Sequence, residues 1–254
     1  MKRSEFRHFE RLRVRWAEVD LQKIVFNGHY LTYFDTAAAG YWRAMAMPYH
    51  ETMAQLGGEL FVRKATLDYL GSARCDDLLD VGLRCGPIGH SSLVFHAVVF
   101  RGDTPLVGGE LVYVFADPLA HTPKPVPAEL RTLLQAFEAG QPMVEVRVGG
   151  WDALGQAAQR IRSTVFIEEQ RIPAELEWDA ADAQCVHAVA FNRFAIALAT
   201  GRLLQHAPGV ARIGRMAVLQ DLRGAAIGRA ILDALVEAAR QRGDREVLLH
   251  AQAS

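Results

Sequence analysis

A long apolar helix followed by a run of strands limits the folds open to the first half of this chain. Residues 28–47 carry apolar side chains at the helical period. We expect five of them to form one buried stripe: Leu31, Phe34, Ala38, Tyr41 and Met45. Four strand-like segments follow, separated by turn sequences, at residues 60–69, 78–84, 91–100 and 106–115. This order predicts an α+β fold in which an antiparallel sheet wraps round the helix.

A single carboxylate stands between an earlier strand and the start of this helix. Residues 11–17 alternate, with Leu12, Val14 and Trp16 on one face, which predicts a half-buried strand. Asp20 follows that strand, and the helix begins with Asn27, Gly28, His29 and Tyr30. Backbone amides in the first helical turn have no partner within the helix and carry partial positive charge. An acid facing them can attack a carbonyl, and the amides suit the carbonyl oxygen of a thioester or an amide.

Each of these residues also has a purely structural interpretation. Asp20 can cap the turn that it begins, as aspartates after strands often do. Asn27 can cap the helix or instead orient a water or the carboxylate. Gly28 permits a close approach of backbone to ligand. His29 is either a packed or exposed residue at the helix start, or a base.

The second half of the chain has a different order of elements. Residues 140–142, Gly-Gln-Pro, are the best domain boundary, so we predict domains at 1–140 and 141–254. Strands are predicted at 145–148, 186–191, 195–203, 210–218 and 246–250. Helices are predicted at 151–169 and from residue 224 or 225 to 240. The second domain is therefore expected to be mixed α/β.

A loop of small residues joins the strand at 210–218 to the last helix. Such a loop presents backbone amides to an anion, and the helix dipole adds to that attraction. Arginines flank the loop at Arg223 and Arg229, which strengthens the prediction of a phosphate site. A tight turn with solvated arginines is the alternative. Elsewhere in this half, Glu168, Glu169, Asp179 and Asp182 either help to deprotonate an amine or are solvated charges.

Composition excludes several classes of function. Half of the residues are hydrophobic, the formal net charge is -1 and neither half is basic, so nucleic acid is not expected as a partner. No apolar run approaches the roughly 18 residues of a membrane span, and no signal peptide is visible. Three scattered cysteines, Cys75, Cys85 and Cys185, predict a reducing cytoplasmic location without disulfides or a metal site. Each cysteine is expected to be a small buried hydrophobe.

The segment from Arg13 to Asp35 resembles the 4-hydroxybenzoyl-CoA thioesterase family of hotdog-fold acyl-CoA thioesterases. The resemblance rests on Asp20, the Ile24-Val25-Phe26 step and the pair His29-Tyr30, and it covers about residues 7–140. It implies a cofactor-independent hydrolase of acyl-CoA thioesters in which Asp20 is the nucleophile or general base. It also implies that residues Asn27, Gly28, His29 and Tyr30 polarise the carbonyl, and that the protein forms a homodimer or homotetramer through this domain.

The chain departs from that family at two places near the acid. Residues Leu21-Gln22-Lys23 stand where many members have a Gly or Ala pair. Asn27 stands where many members have His. Because an asparagine side chain is not a base, proton transfer is expected to fall to Asp20 or to water.

The segment from Arg212 to Arg229 resembles motif A of the GNAT N-acetyltransferase superfamily. The resemblance implies acetyl-CoA or CoA as substrate or ligand of the second domain, lying along Met216, Ala217 and Val218. Its phosphates would lie on Arg223, Gly224, Ala225, Ala226, Ile227, Gly228 and Arg229. Ala226 stands where the family has the first glycine of the loop.

The second domain is short for this superfamily, which normally continues with a helix carrying a Tyr general acid. We therefore expect it to be incomplete at its C-terminus.

The sequence leaves three hypotheses for the function of the chain. The chain is a thioesterase fused to an N-acetyltransferase, or a thioesterase whose second half is a non-catalytic CoA-binding or dimerisation module, or a scaffold in which both halves are degenerate.

Overall fold

A computed structural model describes residues 1–249 and shows two compact units. The first spans Met1–Pro142 and the second begins at Met143. The assignment of domains to residues 1–140 and 141–254 remains a prediction. Each unit is described by itself below.

The first unit is one antiparallel sheet with a long helix. Its elements in chain order are β1 (His8–Arg13), α1 (His29–Ala44), α2 (Tyr49–Leu56), β2 (Glu59–Tyr69), β3 (Leu78–Ile88), β4 (Ser92–Arg101), β5 (Thr104–Ala116) and α3 (Ala128–Glu138). The strand order is β1-β3-β4-β5-β2, and all neighbours are antiparallel. The predicted α+β fold is therefore confirmed, with β2 at one edge of the sheet.

The buried face of α1 differs by about one residue from the predicted stripe. Phe34, Tyr41 and Met45 are buried as expected, but Leu31 is 37% exposed. Tyr30 and Tyr33 take its place in the core. Their hydroxyls are hydrogen-bonded, which removes the cost of burying them. The sequence pattern predicted Leu31 in the core because it counts apolar side chains. It does not show which tyrosine hydroxyls have hydrogen-bond partners in the folded protein.

The predicted strand at 11–17 lies earlier in the chain. β1 ends at Arg13, and Trp16–Glu18 forms a short 3-10 turn instead. Val14 is buried, whereas Trp16 is 83% exposed and does not share its face. The sequence analysis also missed α2, which begins directly after Pro48.

The second unit is a mixed sheet with helices on both faces. Its elements are β6 (Val144–Gly149), α4 (Trp151–Arg162), α5 (Ala174–Glu177), β7 (Val186–Asn192), β8 (Ala197–Ala207), β9 (Val210–Val218), α6 (Ile227–Arg242) and β10 (Glu246–Leu249). The strand order is β10-β9-β8-β7-β6, antiparallel except for the parallel pair β9–β10. The predicted mixed α/β architecture is confirmed; residue 250, the last of the predicted final strand, lies outside the described residues.

Helices α4 and α6 cover opposite faces of this sheet. Ala158 and Ile161 of α4 pack with Val189 and Ala217. On the other face, Gly201 has no side chain and so leaves room for α6. The predicted helix 151–169 is α-helical only to Arg162, and Ser163–Glu169 is a π-helical turn. π-helical turns are rare and often occur at functional sites.

All three cysteines are free, but they are not equally buried. Cys185 is buried and Cys85 is partly buried. Cys75 is exposed, so the expectation that it packs in the core is wrong. It lies in the turn before β3. Within residues 1–249, no helix is both long and apolar enough to cross a membrane.

Candidate functional site

Asp20 opens a tight loop at the end of the 3-10 turn Trp16–Glu18. The Asp20 amide donates to the carbonyl of Ile24 at 2.9 Å, and Val19 bridges Val25, so the loop is closed at its base. The Gln22 amide donates to Asp20 Oδ1 at 2.8 Å. The turn-capping interpretation of Asp20 is thus present in the structure, but it uses only one carboxylate oxygen. Among the residues described, nothing binds the other oxygen, which is left for chemistry.

Asp20 lines an open cleft of about 620 Å³. Asn27 and Tyr30, both predicted from the sequence, line the same cleft. Gly28 and His29 are not among its lining residues. Tyr69 and Ser72 complete the cleft from the other side, and sequence reasoning missed both. They come from the end of β2 and the turn after it, and only the fold brings them to Asp20.

The start of α1 supplies fewer free amides than the sequence predicted. The His29 amide donates to the carbonyl of Phe26 at 2.9 Å, so it cannot polarise a substrate carbonyl. Of the four residues predicted to polarise the carbonyl, His29 is therefore excluded as an amide donor, whereas the amides of Asn27, Gly28 and Tyr30 have no acceptor in the described part of the chain.

Gly28 and Asn27 have different surroundings at the start of α1. Gly28 has an ordinary right-handed φ of -66°, so it is not needed for backbone freedom. A Cβ at this position would instead meet the Phe26 ring. Asn27 does not cap the helix through its side chain; its carbonyl accepts a hydrogen bond from the Tyr69 hydroxyl at 3.2 Å.

Glu18 is a second carboxylate next to the site, and the sequence analysis missed it. Its side chain is buried, and its Oε2 accepts hydrogen bonds from the Tyr33 hydroxyl at 2.8 Å and the Arg15 amide at 2.7 Å. The Arg15 guanidinium lies 3.0 Å from Oε1. Burial opposes ionisation, but these hydrogen bonds and the Arg15 charge together hold the pKa of Glu18 below its usual range. Because Tyr33 lies on α1, Glu18 fixes the Asp20 loop to the helix.

In the second unit, the predicted phosphate loop has the backbone of an anion site. After β9, the chain passes through a 3-10 turn at Gln220–Leu222 and enters α6 at Ile227. Gly224 has φ of +86° and Ala226 has φ of +60°. Amides 226–229 have no acceptor in the described part of the chain. This arrangement suits an anion at the helix start.

The two arginines that flank the loop are both held by carboxylates. Arg223 makes a bidentate pair with Glu169, with both N–O distances at 2.6 Å. Arg229 pairs with Asp233 one turn along α6, at 2.8 Å. Both guanidinium groups therefore have a carboxylate partner in this structure, and their predicted binding of phosphate remains a prediction. Sequence reasoning missed the Glu169 partner because 54 residues separate it from Arg223.

The other acidic residues singled out in this unit differ from one another. Glu168 is exposed. Asp182 is buried and pairs with Arg162 at 2.9 Å and Arg202 at 2.8 Å, which is a structural role. Asp179 accepts hydrogen bonds from Arg202 at 2.8 Å and from the Ala181 amide at 3.0 Å.

Comparison with known proteins gives a family for each unit. The family model described as "Thioesterase superfamily" matches residues 22–107, beginning just past Asp20. The family model described as "Acetyltransferase (GNAT) family" matches residues 151–254.

Individual relatives divide between the two halves in the same way. A "Putative esterase" of Aquifex aeolicus (strain VF5) is 30% identical over 93 residues, which are 37% of this chain and 72% of the relative. The "Acyl-CoA thioester hydrolase YbgC" of Escherichia coli O6:H1 is 26% identical over 120 residues, 47% of this chain and 89% of the relative. A "Putative acetyltransferase" of Bacillus subtilis (strain 168) is 30% identical over 99 residues, 37% of this chain and 65% of the relative.

Proposed function

The N-terminal domain of this chain belongs to the thioesterase superfamily and the C-terminal domain to the GNAT family, and from this premise we propose that the protein hydrolyses acyl-CoA thioesters at Asp20. The observation that carries the proposal is the cleft in which Asp20, Asn27 and Tyr30 meet at the start of α1. Asp20 keeps one carboxylate oxygen without a hydrogen bond, and the amides of Asn27, Gly28 and Tyr30 have no acceptor within residues 1–249.

Hydrolysis at this site needs only Asp20 and water. In one route, Asp20 attacks the carbonyl carbon, the C–S bond breaks to give CoA thiolate, and water hydrolyses the resulting anhydride. In the other route, Asp20 takes a proton from a water that attacks the same carbon. Both routes give a free acid and CoA, and both place negative charge on the carbonyl oxygen in the transition state.

The amides of Asn27 and Tyr30, which belong to residues lining the cleft, are the groups that would stabilise this charge. Backbone donors fixed in advance are effective here because they need no reorganisation during the reaction. Asn27 supplies no base, so it orients substrate or water at the cleft. The relative named as an acyl-CoA thioester hydrolase supports CoA as the leaving group.

For the C-terminal domain, we propose binding of acetyl-CoA along Met216, Ala217 and Val218. The amides of residues 226–229 would bind the pyrophosphate. In an acetyl transfer, the amine nitrogen of an acceptor would then bond to the acetyl carbon as the C–S bond breaks. The nitrogen proton would end on the departing CoA thiolate, so the products would be the N-acetylated acceptor and CoA.

In the second candidate function, the C-terminal domain is a non-catalytic CoA-binding or dimerisation module. The bidentate pair between Arg223 and Glu169 favours the dimerisation form of this candidate, because the pair occupies the arginine next to the loop. Calorimetry with acetyl-CoA, combined with an assay for amine acetylation, separates the two candidates. Binding without any acetyl transfer supports the module, and transfer to any amine excludes it.

We also propose that the first domain forms a homodimer, or a homotetramer built from that dimer. Strand β2 lies at the edge of the sheet, and Val62 and Tyr69 on it are both 53% exposed. Unpaired edge strands are ready to pair with another chain.

A cytoplasmic location remains a prediction from the cysteine content.

The first experiment is a thiol-release assay with a panel of short aliphatic, long aliphatic and aromatic acyl-CoAs. We expect release of free CoA from at least one of them. Absence of release from all three classes would contradict the proposed hydrolysis.

A further inference from the structure

The second unit contains a pocket that is separate from the phosphate loop. It has a volume of about 270 Å³ and is lined by Asp179, Arg202, Leu204, Arg212, Gly214 and Arg215, which we call the arginine pocket. Arg202 pairs with Gly214 across β8 and β9, and Leu204 pairs with Arg212, so these four residues share one face of the sheet. Gly201, on the opposite face, packs against α6, so the pocket lies on the α4 side.

Charges around the arginine pocket are balanced except at one position. Arg162, Arg202 and Arg215 form ion pairs with three carboxylates, namely Glu177, Asp179 and Asp182. The Arg212 side chain is exposed and has neither an ion pair nor a hydrogen bond within residues 1–249. The pocket therefore carries one cation in excess.

Arg215 adds a donor without an acceptor. Its Nε is buried and has no hydrogen-bond partner among the described residues. Its ion pairs with Glu177 and Asp179 are long, both 3.4 Å. The side chain is nevertheless 28% exposed, so its terminal nitrogens, which make these long pairs, can donate to a bound acceptor.

A single carboxylate suits Arg212 better than a phosphate dianion does. Arg212 is the one guanidinium here without a partner among the described residues, and guanidinium groups bind carboxylates with two parallel hydrogen bonds. Asp179 lines the same pocket and remains 38% exposed, so it can accept a hydrogen bond from an ammonium group. The volume suits a molecule of amino-acid size.

We propose that the arginine pocket binds a small molecule that carries one carboxylate and one amine. Its carboxylate would lie against Arg212 and Arg215, and its ammonium group against Asp179. Arg215 directly precedes Met216, where acetyl-CoA is proposed to lie, so such a ligand would sit beside the thioester. That it is the acetyl acceptor rests on the proposed function of this domain; the binding itself does not.

The test is calorimetry of the full chain with four probes: 4-aminobutyrate, butyrate, butylamine and inorganic phosphate. We expect 4-aminobutyrate to bind more tightly than butyrate, and butylamine and phosphate not to compete with it. Arg212→Gln should weaken 4-aminobutyrate binding about tenfold, because a charge-assisted contact is lost. Arg240→Gln is the control, since it removes the same charge from an exposed position on α6 that is paired with Glu237.

Three results would overturn the proposal: no binding of either carboxylate at millimolar concentration, equal binding by the Arg212 variant and wild type, or phosphate displacing 4-aminobutyrate. Binding of acetyl-CoA is measured in parallel on the same samples. If 4-aminobutyrate binds but acetyl-CoA does not, the acetyltransferase proposal fails and the proposal for the arginine pocket stands. The two failures are therefore distinguishable.

Discussion

Two carboxylates two positions apart have different roles at the thioester site. Asp20 is partly exposed in the cleft and keeps one oxygen free, whereas Glu18 is buried and fully engaged by Tyr33 and Arg15. The sequence shows two acids in one loop, but it does not show which of them is buried. Burial depends on α1 bringing Tyr33 over the turn, which is a tertiary effect.

Glu18→Gln is expected to destabilise the first unit by about 1.5 kcal/mol at pH 7, because charge-assisted hydrogen bonds are lost. The folded-state pKa of Glu18 is lowered, so its contribution is full above the unfolded pKa of about 4.3 and is lost as pH falls through the folded pKa. Urea titrations at several pH values should show the variant and wild type converging in acid. Glu129→Gln, an exposed change on α3, should show no such convergence; a difference for Glu18 that persists in acid would contradict the account.

Ala226 adopts a left-handed backbone at a position where the GNAT motif has glycine. Left-handed geometry costs a residue with a Cβ about 1–2 kcal/mol, and glycine avoids it at an entropic cost of about 0.5–1 kcal/mol. Ala226→Gly should therefore raise the free energy of unfolding of the second unit by about 0.5–1 kcal/mol. Ala225→Gly, at a position without positive φ, should lower it; equal effects at the two positions, measured by thermal unfolding, would argue against this strain.

At the scale of elements, strands and the α1 helix were predictable because alternation and helical period follow directly from which faces are buried. The boundaries of the elements were harder to predict. β1 ends before the end of the predicted strand 11–17, and the predicted helix 151–169 changes to a π-helical turn after Arg162. The ends of the phosphate loop were predictable from its small residues. The partner of Arg223 was not, because Glu169 is brought to it only by packing of the π-helical turn beside β9.

The pair between that π-helical turn and the phosphate loop is expected to oppose acetyl-CoA binding. Glu169→Gln frees Arg223 for a phosphate, and exposed ion pairs contribute at most about 1 kcal/mol, so affinity should rise up to about fivefold. Calorimetry with acetyl-CoA on the full chain measures it. Glu168→Gln, an exposed neighbour, should have little effect; unchanged or weaker binding by the Glu169 variant would show that the pair does not compete with CoA.

At the scale of the whole molecule, each unit has a proposed site for a CoA compound, and in the first unit β2 lies at an edge of the sheet. We expect sedimentation of the full chain to give at least about twice its 28.1 kDa mass. Val62→Asp should weaken the assembly, because it places a charge on the exposed edge strand β2. Leu119→Asp, on a loop where the side chain is 91% exposed, is the matched control. A monomeric wild type, or equal effects of both changes, would contradict assembly through β2.

The central claim, that Asp20 performs the thioester chemistry, is tested most directly by kcat/KM for acyl-CoA hydrolysis of Asp20→Asn in the full chain. Asparagine keeps the size and the turn-capping oxygen but removes the nucleophile or base, so we predict a loss of about 10²–10⁴-fold. Asp103→Asn, whose side chain is 97% exposed, should retain full activity, and both variants should bind acetyl-CoA as wild type does. An Asp20→Asn protein that is folded and within tenfold of wild type would contradict the account.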